Sequence, residues 1–216
     1  MSEISESTVR RLSHYYRVLE EVQSEGKRLI SSHRLAEREG ITSAQVRKDL
    51  SCFGSFGRRG LGYPVDRLRD EIRAILGLDR RWRVVLVGAG NIGAALLAYR
   101  GFARHGFDLA AVFDREGSAV GRRVGGLVVR DIRELPELAR AEPFDIGVIA
   151  TPMDAAQPVA DALVAAGVRG ILNFAPRKLF VPEAVALRTV DMTMEFESLS
   201  YALIQTPAKR RRVRDG

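Results

Sequence analysis

Arg83-Val84-Val85-Leu86-Val87 runs directly into Gly88-Ala89-Gly90-Asn91-Ile92-Gly93, and Ala94-Ala95-Leu96-Leu97-Ala98 follows. This stretch decides the fold class. An apolar, β-rich run, a Gly-x-Gly-x-x-Gly turn and a helix-forming run stand in the order of a strand, a phosphate-binding loop and a helix. Gly88 permits the tight turn out of the strand. Gly90 lets a pyrophosphate approach the backbone, and Gly93 lets helix and strand pack closely. The helix N-terminus, with Ala89, Asn91 and Ile92 around it, offers free amides to the phosphates. A second strand, Leu109 to Phe113, ends in Asp114, 21 residues past Gly93. At that offset a carboxylate accepts hydrogen bonds from both adenosine ribose hydroxyls. Its charge disfavours a 2′-phosphate, which favours NAD(H) over NADP(H), although Arg115, Arg122 and Arg123 close by act in the opposite sense.

Outward from this unit the pattern keeps alternating. Leu127 to Val129 reads as a strand and Asp131 to Ala139 as a helix. Asp145 to Ala150 reads as a strand ending in Thr151-Pro152, Asp154 to Ala166 as a helix stopped by Gly167, and Gly170 to Phe174 as a strand. Such alternation predicts a Rossmann-like, doubly wound parallel sheet. Ligands sit at the carboxyl ends of its strands, so Thr151, Pro152, Asn173, Phe174 and Ala175 fall on the cofactor's side. Asn173 either bonds a carboxamide or ribose, or caps a turn.

The N-terminal third reads differently. Val9, Leu12, Tyr15, Tyr16, Leu19 and Val22 make one helical stripe, with Ser5 or Ser7 as its cap and Gly26 as its stop. A second helix runs from a cap at Ser32 to Arg38 and ends at Gly40. Thr42-Ser43-Ala44-Gln45 matches a capping box, and Ile41 with Val46 a hydrophobic staple. A third helix therefore starts at Ser43, a few residues after the second, which is the helix-turn-helix spacing. Val46, Leu50 and Phe53 face inward. Ser43, Arg47, Lys48 and Ser51 face outward, with the chemistry that meets phosphates and base edges. Phe53 to Tyr63, with four glycines, Arg58 and Arg59, predicts a tight basic hairpin, a wing, in which Gly60 and Tyr63 also stand near the nucleic acid. A helix with Leu68, Ile72, Ile75 and Leu76 inward follows. The alternative is a helical dimerisation domain with an exposed basic turn.

Composition bounds the rest. The 216 residues are 46% hydrophobic and 28% charged, with net charge +7. The charge is uneven: 15 Lys and Arg stand against 12 Asp and Glu in residues 1–80, and 5 against 1 in residues 207–216. A polyanionic partner suits that distribution. The apolar runs are too short to span a bilayer, and the polar N-terminus lacks a signal-peptide core, so a cytoplasmic protein is expected. One cysteine, Cys52, and three scattered histidines leave no expected metal site. Cys52 is expected to be an inert packing residue. His105, Lys178, Tyr99 and Cys52 form no constellation for proton transfer near a nicotinamide, so binding without turnover is expected. The competing readings are an NAD-dependent oxidoreductase whose N-terminal domain only dimerises, and a nucleotide or coenzyme A binding module. Met192 to Ile204 reads as a terminal helix, apolar on much of its circumference, that wants a partner on more than one side. The expected division is a winged helix-turn-helix domain over 1–78, a Rossmann domain over 79–190, a terminal helix over 191–206 and a basic tail over 207–216.

A winged helix containing QVRKDLSCFGSFGRRGLGY, followed by VGAGNIG and GILNFAP, resembles Rex, the bacterial redox-sensing transcriptional repressor family. The resemblance covers Val9 to Ile204. It implies a homodimer that binds palindromic operator DNA and is released by NADH, with NAD+ permitting binding. It further implies that Arg47 and Lys48 lie on the recognition helix, Arg59 and Gly60 in the wing, and Gly88, Gly90, Gly93 and Asp114 at the cofactor. The terminal helix matches one exchanged between subunits. Arg17, Tyr99 and Asp191 match a polar switch, in which Asp191 pairs with Arg17 or Tyr99 according to the cofactor bound. The chain departs from the family pattern at Cys52 and Met192, where aromatic residues are expected.

Overall fold

The computed structural model describes residues 4–57, 61–115, 117 and 119–205. The chain divides into two compact units, Met1–Arg81 and Trp82–Gly216.

The first unit comprises α1 (Glu6–Ser24), β1 (Leu29–Ile30), α2 (Ser32–Glu39), α3 (Ser43–Ser51), β2 (Tyr63–Pro64) and α4 (Val65–Ile75). Ser5 caps α1 by accepting the Thr8 amide at 3.3 Å. The buried face of α1 runs through Thr8, Leu12, Tyr15, Leu19 and Val22. Val9 lies one residue, about 100°, off that face and is exposed, contrary to the sequence expectation. The cap of α2 is Ser31 rather than Ser32, since Ser31 Oγ accepts the Arg34 amide at 3.1 Å. Gly40, in the left-handed region at φ 65°, ends α2 and frees the chain for the turn into α3. Leu12, Leu19, Leu35, Val46, Leu68 and Ile72 close a single core.

The tip of the glycine-rich stretch 53–63 lies outside the described residues, and on either side of it Gly57 packs against Gly62 and Tyr63. Phe56 turns into the core. The strand that emerges, β2, pairs antiparallel with β1, in register Leu29↔Pro64 and Ile30↔Tyr63.

The second unit runs β3 (Trp82–Val87), α5 (Asn91–Ala98), α6 (Gly101–Arg104), β4 (Phe107–Asp114), β5 (Arg123–Val124) and β6 (Leu127–Asp131). A 3-10 turn then leads through α7 (Leu135–Ala141), β7 (Ile146–Ile149), α8 (Met153–Ala165), β8 (Gly170–Asn173), β9 (Ala186–Thr189) and α9 (Met192–Gln205). The seven strands lie in the order β5-β6-β4-β3-β7-β8-β9. All pairs are parallel except β5 with β6. The order reverses at β3, which has β4 on one side and β7 on the other. That is the switch point at which doubly wound sheets bind ligands.

One sheet face buries Val85, Val87, Phe113 and Ile149 under Leu135 of α7 and Leu163 of α8. The other face is covered only in part by Leu96 and Leu97 of α5. Beside them an apolar trough of about 340 Å³ stays open, floored by Val84, Leu86, Ile146, Val148 and Leu172. Helix α9 buries no residue, and Met192, Met194, Phe196, Leu199, Tyr201 and Leu203 are all exposed. An apolar trough and an apolar helix, both uncovered, are rare in a lone soluble chain.

Candidate functional site

In the second unit the glycine loop joins β3 to α5 at the switch point. Gly88 has φ 107°, and a side chain there would strike the Ala150 carbonyl and approach the Thr151 amide to 3.1 Å. At Gly93 a side chain would strike the Gly88 carbonyl. Both glycines are therefore fixed by close packing. Gly90 differs: nothing lies within 4 Å of the place its side chain would take. The loop is thus tight on its inner side and open where the first turn of α5 presents its amides, a geometry that fits a pyrophosphate. Asn91 and Ile92, in that first turn, are exposed. A pocket of about 520 Å³ beside the loop is lined by Gly90, Asn91, Arg122 and Arg123.

Asp114, at the end of β4, accepts the Ala89 amide on Oδ2 and the Arg115 amide on Oδ1, both at 2.7 Å. It braces the glycine loop, and each oxygen keeps a lone pair for a hydroxyl. Thr151, at the end of β7, has a buried Oγ1 with no hydrogen-bond partner. An orphaned hydroxyl beside the glycine loop fits a bound polar ligand. Pro152 is exposed at the start of α8, and Phe174 lines the trough. Asn173 resolves the alternative left open by the sequence. It is fully buried, its Nδ2 donates to the carbonyls of Ala175 and Arg177 at 3.0 Å, and its Oδ1 accepts the Ala175 amide at 2.9 Å. It caps a turn, and both it and Ala175 are buried.

In the first unit Thr42 caps α3 by accepting the Gln45 amide at 3.2 Å. The reciprocal half of the expected box is absent. Gln45 extends along α3 instead, its Nε2 donating to Asp49 Oδ1 at 2.7 Å. Arg47, Lys48 and Ser51 are exposed on one side of α3, and Ser43 is half-buried. Arg47 donates to Ser32 Oγ at 3.2 Å. With Ser51, Gly54, Ser55 and Tyr63 it lines a groove of about 590 Å³. Burial pushes the Tyr63 phenol up, with the nearby Arg47 charge opposing, so this hydroxyl stays protonated and able to donate. Arg58, Arg59 and Gly60 lie outside the described residues. Cys52 is exposed rather than packed, since it falls just past the last buried position, Leu50.

Asp49 was invisible to the sequence reading as anything but a lone negative charge. It is 1% exposed and accepts Arg11 Nε at 2.6 Å, Arg11 NH2 at 2.8 Å and the Tyr15 hydroxyl at 2.7 Å. Burial alone would raise its carboxyl, but the bonds from Arg11, Tyr15 and Gln45 outweigh it and hold the group below its ordinary range.

Of the three residues of the expected switch, Arg17 belongs to the first unit and Tyr99 and Asp191 to the second. Arg17 is exposed on α1 and lines a polar pocket with His14, Glu21, Arg38 and Glu39. Tyr99 is exposed at the end of α5, edge-on to Phe102 with ring centroids 4.9 Å apart. Asp191 caps α9, its Oδ1 accepting the Thr193 amide at 2.9 Å. Among the described residues no group of three or more His, Cys, Asp or Glu could hold a metal ion, and no helix is long and apolar enough to cross a membrane.

A family model described as "Putative DNA-binding protein N-terminus" matches residues 3–51, and one described as "CoA binding domain" matches residues 79–177. The Redox-sensing transcriptional repressor Rex of Carboxydothermus hydrogenoformans is 48% identical over 198 residues, 92% of this chain and 95% of that protein. The chain belongs to the Rex family. Among solved structures, the Rex-family repressor RSP in complex with beta-NAD+ and operator DNA superposes with a TM-score of 0.90 at 37% identity, covering 95% of this chain and 94% of that one. RSP in complex with beta-NADH gives 0.84 at 36%, covering 95% and 96%. The Rex fold is thus present from the helix-turn-helix through the doubly wound sheet, and Rex proteins are redox-sensing transcriptional repressors.

Proposed function

We propose that this chain binds NAD(H) in the crevice between β3 and β7 and palindromic operator DNA through α3 and the wing, as a homodimer, and that NADH releases the DNA. The observation that carries this reading is the glycine cradle. Its inner face is filled by close packing at Gly88 and Gly93, its outer face is open at Gly90, and an unpartnered hydroxyl, Thr151 Oγ1, stands at its rim. Gly88, Ala89, Gly90, Asn91, Ile92 and Gly93 would hold the pyrophosphate, and Asp114 the adenosine ribose. Thr151 and Pro152 would border the nicotinamide, whose hydride-bearing ring supplies the redox signal. Ser43, Arg47, Lys48, Ser51, Arg58, Arg59, Gly60 and Tyr63 make up the DNA face, with Arg17, Tyr99 and Asp191 as the switch between the two functions.

Dimerisation is supported by the uncovered apolar faces. In this reading α9 of one subunit fills the trough over Val84, Leu86 and Leu172 of its partner, which completes the second helical layer that a doubly wound sheet requires. A two-fold dimer also suits palindromic half-sites. No residue set for turnover is needed, and the protein acts in the cytoplasm, where both its ligands are found.

The test is fluorescence anisotropy on a palindromic DNA pool at fixed salt, with NADH and NAD+ titrated separately. Release by NADH and retention with NAD+ is the expected result. Specific DNA binding that neither cofactor changes, or no specific binding at all, would overturn the reading and return the oxidoreductase alternative.

A further inference from the structure

Helix α3 is nine residues long and rests on the core through Val46 and Leu50, one turn apart. Two apolar anchors on one stripe resist lifting but resist rolling poorly, because dispersion contacts have no direction. Rolling matters for a helix that reads DNA. At a side-chain radius of about 6 Å, a roll of about 15° moves a side-chain end by about 1.5 Å, well beyond the tolerance of about 0.5 Å that a directional contact allows.

Asp49 supplies the missing restraint. Its two oxygens take the planar fork of Arg11 from α1 at 2.6 and 2.8 Å, and the Tyr15 hydroxyl adds a third bond from the same helix. A bidentate guanidinium–carboxylate pair fixes orientation as well as distance. The arrangement continues backwards: Arg11 also donates to Thr8 Oγ1 at 3.3 Å, and Thr8 Oγ1 lies 2.9 Å from the capping Ser5 Oγ. Arg11 cancels the one negative charge on α3, so the helix meets a polyanion with Arg47 and Lys48 uncompensated.

We propose that Asp49 is the positioning residue of the recognition helix: bonded to Arg11 and Tyr15, it sets the roll of α3 that sequence-specific DNA reading requires, without touching DNA itself. This rests on α3 being the recognition helix.

The experiment uses the full-length protein and two duplexes, one selected by the wild type from the palindromic pool and one scrambled. The main variant replaces the buried ionic group by an apolar one, Arg11→Met with Tyr15→Phe and Asp49→Leu. It leaves net charge unchanged, and such exchanges commonly preserve or raise stability. Tyr15→Phe alone removes one bond and keeps the fold if the triple variant does not. Arg47→Ala with Lys48→Ala is the control for the underlying reading.

Expected for the triple variant are wild-type circular dichroism and NADH affinity, scrambled-duplex affinity within about twofold, and selected-duplex affinity reduced about tenfold to a hundredfold, the scale of one lost bidentate base contact. Tyr15→Phe should show a smaller loss confined to the selected duplex. Folded variants that bind the selected duplex within about threefold of wild type, or lose both duplexes equally, would overturn the proposal. If Arg47→Ala with Lys48→Ala leaves both affinities unchanged, the recognition-helix reading fails first, and this proposal with it.

Discussion

Thr151 Oγ1 is buried and bonds nothing within the fold, which separates its use in folding from its use in binding. A hydroxyl without a partner costs its own desolvation, so Thr151→Val should leave the melting temperature of the free protein unchanged or raised. If the hydroxyl serves the cofactor, the same variant should weaken NADH binding about threefold to tenfold, the worth of one neutral hydrogen bond. Calorimetric titration beside a thermal melt reads both. A variant that binds NADH as the wild type does would remove Thr151 from the site. At this scale legibility in the sequence follows the span of the constraint. Gly88 and Gly93 were legible because the turn that demands them is six residues long. Asp49 was not, because Arg11 and Tyr15 stand 38 and 34 residues away and nothing local marks the bond. Asn173 was half legible: the residue type named two roles, and only its burial chose between them.

Among elements, α3 was the most readable, since Thr42 marks its start by a bond to the third residue on. Strands β1, β5 and β9 went unread. They span two to four residues, too few to show a period, and β1 and β5 exist only because a partner strand passes beside them. Two predictions belong here. The Asp49 carboxyl lies below the 3.8 it has when unfolded, so its contribution to stability is complete above that value. That contribution is lost as pH falls through the lower folded value. Between about pH 5 and about pH 3, wild type should therefore lose more stability than Asp49→Asn, measured by scanning calorimetry. Equal losses would show that the carboxylate is not held by Arg11 and Tyr15 as described. On α9, if the helix fills a partner's trough as proposed, Leu199→Asp with Leu203→Asp should convert the dimer to a monomer by sedimentation equilibrium, since each charge would enter an apolar surface. An unchanged mass would place the dimer contact elsewhere.

For the whole molecule, the prediction is thermodynamic reciprocity. If NADH lowers affinity for operator DNA by some factor, operator DNA must lower affinity for NADH by the same factor. Titrating NADH by its own fluorescence, with and without saturating operator, tests this against the DNA measurement. Unequal factors would mean that the two ligands do not share one pair of states. The pairing of β1 with β2 bears on how such a change is delivered. The chain from Leu29 to Pro64, which carries α2 and α3, is closed at its neck by that ladder, and the Val65 amide donates to the Arg28 carbonyl at 3.0 Å just outside it. Mechanically this is a ring with a clasp. Leu29 and Pro64 face each other at the neck, so a pull entering along α1 and α4 peels the clasp open pair by pair before it can stretch anything inside the loop. If the ring holds DNA as proposed, tension applied through α1 and α4 in an optical trap should therefore open the clasp at low force, before α2 or α3 unfolds.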